Sequence, residues 1–339
     1  MSKKNSNVNL KSSFKKFQGL SETYNNFKKK LDNLRKSSAV VAVSGGPDSL
    51  ALAALTKAYT SKKKIKFYYV LIDNKIRKNS TKEANQVKNL LKKYQIKLNI
   101  ISNKHKINNN IQSEARNIRY NLLTEFCIKK KVKVILTAHN LEDQVETFLI
   151  RLSRGSGLTG LSAMKSMSKI NHNIYIYRPL LNTKKKYLIK TSKFIFGKFF
   201  KDPSNKNKKY LRTKIRNLKE PLKQSGINYD QIIKSINNLA LSRDTLNQYF
   251  TANMKNSIKK SKNKINVDLK KFNQFNKELK IRVINDSIRY LRKNYYNPRS
   301  KKVVNLIKNI DKKNFSKATL GGCIFTKKND QLCLSKEKT

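Results

Sequence analysis

AVVAVSGGPDSLALAAL, residues 39–55, decides how the chain is to be read. Ala39–Val43 is a short, valine-rich apolar run of the kind that forms a buried parallel strand. Leu50, Leu52, Ala53 and Leu55 follow at spacings that suit a buried helix. Between them Ser44, Gly45, Gly46, Pro47, Asp48 and Ser49 form a turn. Its two glycines let the backbone turn tightly and approach a ligand. Asp48 and Ser49 suit a helix N-terminus, whose unpaired N–H groups and positive dipole end attract anions, phosphate above all. No GxxxxGK[ST] loop occurs, so the common phosphate loop is excluded.

At 339 residues the chain has room for one large or two to three smaller domains, and at 38% hydrophobic residues it can build a core. Its charge is extreme: 77 Lys and Arg against 20 Asp and Glu, net +57. Such an excess points to a polyanionic partner, nucleic acid first, beside a general Lys, Asn and Ile bias that places many lysines on solvated surface. Three scattered cysteines, Cys127, Cys323 and Cys333, include no CxxC and fit a reducing cytoplasm. No apolar run approaches the ~18–20 residues of a membrane span, and the polar N-terminus lacks a signal-peptide core, so a cytoplasmic protein with no membrane partner is expected.

After residue 38 strands and helices alternate. Strands are predicted at 67–72, 96–101 and 132–137, with helices at 81–94, 111–130 and 141–153, which implies a parallel sheet flanked by helices. Ligands of such sheets bind beyond the carboxyl ends of the strands, where 44–49, 73–77 and 138–143 fall. Asp73 lies either beside a nucleotide or as a loop cap. Arg116 and Arg119 share a helical face, either solvated or clamping phosphate.

Carboxylates are scarce in this chain, yet Glu142, Asp143 and Glu146 fall within five residues of TAHNLEDQVET, residues 137–147. Asp143 and Glu146 share one helical face, and His139 precedes them at a strand end. Paired carboxylates there either hold Mg²⁺ or a substrate ammonium, or complement the helix dipole. GSGLTG, residues 155–160, matches GxGxxG but follows a helix instead of a strand, so it reads as a helix exit and not a dinucleotide site. Residues 1–37 form a basic N-terminal extension, with Phe14, Phe17, Leu20, Tyr24, Phe27 and Leu31 at helical spacing. Residues 38–218 form the α/β domain. Residues 219–339 read as mostly helical and basic, with a terminal hairpin at 319–334, and suit nucleic-acid binding.

SGGPDS at 44–49 resembles the pyrophosphate loop of the N-type ATP pyrophosphatases, or PP-loop family. EARNIRY at 114–120, TAHNLEDQVETFLIRLSRGSGLTGLSAM at 137–164, RPLL at 178–181 and DPSN with YLRTKIR between 202 and 216 extend the match. In that order they resemble bacterial tRNA(Ile)-lysidine synthetase over residues 38–221. Departures are Glu142-Asp143 for the family's Asp-Asp, Asn74 for its His, and Arg212-Thr213-Lys214-Ile215-Arg216, which keeps both arginines. The resemblance implies an adenine nucleotide α-hydrolase-like fold and a ligase. ATP would adenylate O2 of the wobble cytidine of a tRNA(Ile) with a CAU anticodon, and free lysine would then displace AMP at C2. It implies that Ser44, Gly45, Gly46, Pro47, Asp48 and Ser49 hold the ATP phosphates. Asp48 and Asp143 would hold Mg²⁺, Asp143 and Glu146 the lysine ammonium, with His139, Arg116 and Arg212 near the cytidine and phosphates. DNA is not an expected partner.

Three rivals remain at this level, one of them a small-molecule amide synthetase, which has no use for a basic C-terminal half. A PP-loop tRNA thiolase generally needs the cysteine pairs this chain lacks. A non-catalytic RNA-binding protein with a vestigial loop would be indifferent to Asp48.

Overall fold

The computed structural model describes residues 14, 18–34, 37–60, 65–105, 107, 111–170, 173–200, 210–254, 257–292, 298–312 and 314–337. Residues 1–13, Phe17 and the loop Lys201–Asn205, with Asp202, lie outside the described residues. The chain divides into two units, one ending at Ala240 and one beginning at Leu241.

The first unit is built on a six-stranded sheet of order β3-β2-β1-β4-β6-β5. Its strands are β1 (Ser38–Val43), β2 (Lys66–Asp73), β3 (Leu98–Ser102), β4 (Val134–Leu136), β5 (Met167–Lys169) and β6 (Tyr175–Tyr177). All neighbouring pairs are parallel except β5 with β6. The parallel sheet expected from sequence is therefore present, with β5 as an added antiparallel edge. Seven helices of this unit matter here: α1 (Gln18–Asp32), α2 (Pro47–Thr60), α3 (Ser80–Lys92), α4 (Ile111–Lys129), α5 (Leu141–Leu152), α6 (Leu158–Leu161) and α7 (Lys185–Phe196).

The apolar run of β1 is explained by burial on both faces. Ala39, Val41 and Val43 join one core with α1, α2 and α7, and Val40 joins a second core with Leu123 and Cys127 of α4. Side chains alternate across a strand, so a parallel strand covered on both sides must be apolar throughout. Helix α2 is apolar on every side for the same reason: Leu50 through Leu55 have no exposed surface. Each fully buried leucine contributes roughly 1.5–3 kcal/mol. Leu20, Phe27 and Leu31 of α1 enter the same core, as their spacing predicts.

Strand order places the site. The chain leaves β1 towards β2 and β3, then returns to the other side of β1 as β4. The carboxyl ends of β1 and β4 thus flank the switch point, where ligands of open α/β sheets bind. They are adjacent, with Val41 opposite Leu136, so the loops beginning at Ser44 and Thr137 start side by side.

Helices α8 (Leu211–Asn217) and α9 (Lys219–Gln224) follow, and α10 (Tyr229–Met254) begins in the first unit and ends in the second. The second unit adds β7 (Ile258–Lys260), β8 (Lys264–Asp268), α11 (Leu269–Gln274), α12 (Lys277–Arg292), α13 (Ser300–Ile310), β9 (Lys317–Leu320), β10 (Cys323–Lys328) and β11 (Gln331–Lys336). Its helices accompany an antiparallel sheet of order β7-β8-β11-β10-β9, larger than the terminal hairpin expected. Val283, Ile284, Ile288, Val303 and Ile310 pack on one face of it. No helix among the described residues is long and apolar enough to cross a membrane.

Candidate active site

The loop after β1 is built around Gly45 and Ser49. Gly45 has φ +82°, and a Cβ there would lie 2.6 Å from Val87 Cγ2. Only glycine meets both conditions without strain. The buried Ser49 hydroxyl accepts from Ser44 N at 3.1 Å and donates to Gly46 O at 3.0 Å, fixing the loop from inside. Phe200 N donates to Gly45 O at 3.0 Å. Helix α2 opens at Pro47, and the amides of its first turn have no partner within the helix.

Two further helix N-termini meet this loop. Asn140 and Asp143 form a capping box at the start of α5: Asp143 N donates to Asn140 Oδ1 and Asn140 N to Asp143 Oδ2, both at 3.1 Å. Glu142 Oε2 accepts from Lys185 N at 2.8 Å and so caps α7. Lys185 Nζ in turn lies 3.8 Å from Asp48 Oδ2. The positive ends of α2, α5 and α7 therefore converge on one place, a setting that favours bound anions.

Asp48 stands at the centre of this convergence. Burial pushes its carboxyl up to about 6; Lys185 and Arg216 oppose that rise, and Asp143 and Glu142 add to it. Its Oδ1 is buried with no hydrogen-bond partner among the described residues.

Glu146 lies one turn further along α5 and is 3% exposed, so its charge needs partners. Helix α8 supplies them. Arg212 Nε lies 2.8 Å from Oε2 and Arg216 Nε 2.6 Å from Oε1. Arg212 Nη2 also reaches Asp143 Oδ1 at 3.5 Å. The four-residue spacing of the arginines puts both on one helical face. Asp143 thus serves the helix cap through one oxygen, as the capping reading expects, and faces Arg212 with the other.

His139 sits at the end of β4 with Nδ1 2.9 Å from Thr137 Oγ1. Burial, then Arg178, Arg116, Arg212 and Arg119, hold its imidazole down to about 3. It is neutral at any physiological pH. Arg178 is buried and donates to Lys165 O at 2.8 Å and Ser168 Oγ at 2.9 Å. Arg116 is exposed on α4, its guanidinium 5.0 Å from the Tyr120 ring centre.

Asp73, left open by sequence between a nucleotide contact and a loop cap, takes up the hydrogen bonds of a cap. Asp73 accepts from Lys75 N at 3.0 Å and Thr81 Oγ1 at 2.6 Å, closing the loop after β2. Burial alone would raise its carboxyl, but hydrogen bonds led by Thr81 hold it below the usual range. The GSGLTG segment folds back on α5, where Arg151 Nη1 donates to Gly160 O at 2.7 Å and Ala163 O at 3.0 Å. It follows a helix and opens only the four-residue α6, as its position in the sequence predicts.

The site thus gathers Asp48, Asp143, Glu146, Arg212 and His139 with Arg116 at its margin. It also includes Lys185, Arg216 and Arg178, which sequence reasoning did not place there. The spacing of Arg212 and Arg216 could have signalled the second arginine. Lys185 stands in a run of three lysines, Lys184–Lys186, with nothing to distinguish it.

Comparison with known proteins gives a consistent result. The PP-loop domain family, ATP_bind_3, matches residues 20–221. A curated tRNA(Ile)-lysidine synthase of Wolbachia pipientis wMel is 34% identical over 304 residues, which are 88% of this chain and 70% of that protein. Its counterpart from Rickettsia typhi is 31% identical over 312 residues, 90% of this chain and 71% of the relative. Among solved structures, the U34-tRNA thiolase NcsA from Methanococcus maripaludis superposes with a TM-score of 0.56 at 19% identity, over 65% of this chain and 79% of that one. That likeness is of fold.

Proposed function

Because the chain belongs to the tRNA(Ile)-lysidine synthase family of PP-loop enzymes, ligases that form a carbon–nitrogen bond, we propose that it joins free lysine to C2 of the wobble cytidine in the CAU anticodon of tRNA(Ile). The supporting observation is that a phosphate loop, a carboxylate group and an arginine cluster meet at the ends of β1 and β4. Cytidine O2 attacks the α-phosphorus of ATP, the bond to pyrophosphate breaks, and pyrophosphate leaves. The ε-amine of lysine then attacks C2, the C2–O2 bond breaks, and AMP departs with O2. Adenylation is what makes a carbonyl oxygen able to leave.

The loop Ser44–Ser49 and the first turn of α2 hold the phosphates, and Lys185 lies beside them. Both oxygens of Glu146 face arginines, so we assign Glu146 to orienting Arg212 and Arg216 towards developing negative charge. The lysine ammonium is assigned to Asp143. His139, neutral, serves as a hydrogen-bonding group to the cytidine and not as a charged acid, and Arg116 contacts RNA phosphate. Removing a proton from the ammonium is eased by the arginines around it, since nearby positive charge lowers an amine's proton affinity.

A magnesium ion fits this carboxylate group. Asp48 Oδ1 is an unpartnered buried oxygen, Asp143 is near enough to raise the Asp48 carboxyl, and no group of three metal-binding side chains occurs among the described residues. Mg²⁺ commonly takes one or two carboxylates and completes its shell with water and phosphate. Asp48 and Asp143 would hold it, and it would neutralise charge on the departing pyrophosphate. We assign tRNA docking to the basic region after residue 219 and the reaction to the cytoplasm, where ATP, lysine and tRNA coexist.

The test is transfer of labelled lysine to tRNA(Ile) bearing CAU by the purified chain with ATP. The proposal expects one lysine per tRNA with release of AMP and pyrophosphate. Folded, bound tRNA that acquires no lysine would refute it.

A further inference from the structure

A nucleotide whose phosphates sit on the loop after β1 needs a place for its base. On the β4 side of that loop Asp143, Glu146, Arg212, Arg216 and His139 fill the space with charged and polar groups. The nucleoside is left the other side, beyond β2, whose Leu71 lies beside Val43 in register. The chain there runs Asp73-Asn74-Lys75-Ile76. Its backbone is held on both sides of Asn74. Asp73 O accepts from Asn103 N at 2.8 Å, and Asn74 O from Asn103 Nδ2 at 3.5 Å. Asp73 Oδ1 accepts from Lys75 N at 3.0 Å, which keeps Lys75, a non-glycine residue, at φ +53°. An L-residue seldom stays in that left-handed region unless its surroundings fix it, and such positions gather at ligand sites.

Asn74 is the polar side chain that this arrangement fixes and does not use. It is half-buried, its Oδ1 is shut off from solvent, and neither end of its amide has a hydrogen-bond partner among the described residues. A buried amide oxygen without a partner costs free energy, so a bound group that supplies a donor is favoured there. No bond fixes which end of the amide points where, so it is free to turn to its ligand. Ile76, two residues on, is a large apolar side chain left 47% exposed. An unpartnered amide beside exposed apolar surface matches a purine, which has apolar faces and a hydrogen-bonding edge. Asparagine pairs with adenine by accepting from the 6-amino group and donating to N7. Guanine and hypoxanthine carry an oxygen at position 6, which leaves the amide oxygen without a donor whichever way the amide turns.

We propose that Asn74 recognises the adenine edge of ATP and so selects the nucleotide that the phosphate loop holds. Its amide oxygen accepts from the 6-amino group and its nitrogen donates to N7. Asp73 and Asn103 are positioning residues that hold the backbone on which it stands. Asn74 is one of the residues at which this chain departs from the resemblance, which has His there, so the contact is this chain's own. The inference rests on the reading of ATP as co-substrate and adds what chooses its base.

The experiment is equilibrium titration of the full chain, native and carrying Asn74→Ala or Asn74→Asp. The ligands are ATP, inosine triphosphate with its oxygen at position 6, 7-deaza-ATP without N7, and inorganic pyrophosphate. The native chain should bind ATP at least about fivefold more tightly than either analogue, the discrimination a paired amide gives a base. Asn74→Ala should bring the three nucleotides within about twofold of one another, with pyrophosphate affinity and melting temperature native, because the side chain makes no bond within the fold. Asn74→Asp keeps an acceptor and loses the donor. It should still prefer ATP to inosine triphosphate and no longer distinguish 7-deaza-ATP, and being of the same size it carries the test should Asn74→Ala not fold. A native chain that binds ATP and inosine triphosphate alike, or an Asn74→Ala chain that keeps the native preference, overturns the assignment. Adenine selection that depends on Asn74 in a chain that joins no lysine to tRNA overturns the ligase reading and leaves Asn74 standing. Binding of pyrophosphate but of no nucleotide overturns the ATP reading and Asn74 with it.

Discussion

Replacing Gly45 by alanine tests the phosphate loop at its tightest point. The added methyl meets two separate costs. At φ +82° an L-residue pays about 1–2 kcal/mol for the left-handed conformation. The new Cβ would also lie 2.6 Å from Val87 Cγ2, and relieving that overlap costs about 1–3 kcal/mol. Together the loss is about 2–5 kcal/mol, a melting-temperature drop of roughly 5–15 °C for a unit of this size. The overlap can be removed alone by Val87→Ala, which by itself costs about 1.5 kcal/mol for two buried methyl groups. In a double-mutant cycle by thermal unfolding, the two changes should couple favourably by about 1–3 kcal/mol, the steric share. The backbone share should remain, and ATP affinity should stay reduced in the double variant because the loop is still displaced. Gly46→Ala is the control, since its φ is not positive and its Cβ would meet only Ser44 Oγ at 3.7 Å. It should leave stability within about 0.5 kcal/mol. A Gly45→Ala protein with native melting temperature and native ATP affinity, or a cycle without coupling, would refute this account of the loop.

Glu146→Gln leaves Arg212 and Arg216 without their buried counter-charge and should destabilise the chain by about 3 kcal/mol in urea unfolding; lysine transfer should fall with it even at temperatures where the variant is folded. Acid stability should depend on two opposed groups. His139, held down to about 3 from 6.5, binds its proton more readily in the unfolded chain, so its contribution is full above pH 6.5 and is lost as pH falls towards 3. Asp48, raised from 3.8 to about 6, binds its proton more readily when folded, so its contribution runs the other way and stability falls as pH rises through that window. The native chain should therefore show a shallow dependence between pH 4 and 6, and Asp48→Asn should expose a slope of up to about 1.4 kcal/mol per pH unit in denaturant titrations. Asp48→Asn should also abolish pyrophosphate release, to which a chain that only binds RNA would be indifferent.

What sequence revealed, and what it hid, follows from the contrast each residue makes with its background. The β1–loop–α2 unit was legible because burial on both sides leaves an uninterrupted apolar run, rare in a chain this basic. Asp143 and Glu146 were legible because carboxylates are scarce, and their grouping stands out. Strand β5 was hidden: Met167 and Lys169 are exposed, so no core pattern marks it, and pairing with β6 alone makes it a strand. The second sheet was partly hidden because Lys264–Asp268 carries only two buried side chains among lysine and asparagine. Within the mostly helical region expected after residue 219, the break between Leu269–Gln274 and Lys277–Arg292 was also hidden, since it rests on Asn276 Oδ1 accepting from Leu279 N to start the second helix. At the site, Lys185 was hidden by its two lysine neighbours. Only the folded chain shows that its amide meets Glu142 and its ammonium approaches Asp48.

The order of events at the end of β1 is tested most directly by following the wobble oxygen. With tRNA(Ile) carrying a heavy oxygen isotope at cytidine O2, the account predicts that the label appears in the phosphate of released AMP, one atom for each lysine joined. Label retained in the RNA, or released to water with unlabelled AMP, would contradict activation of O2 by adenylation and with it the function assigned to this site.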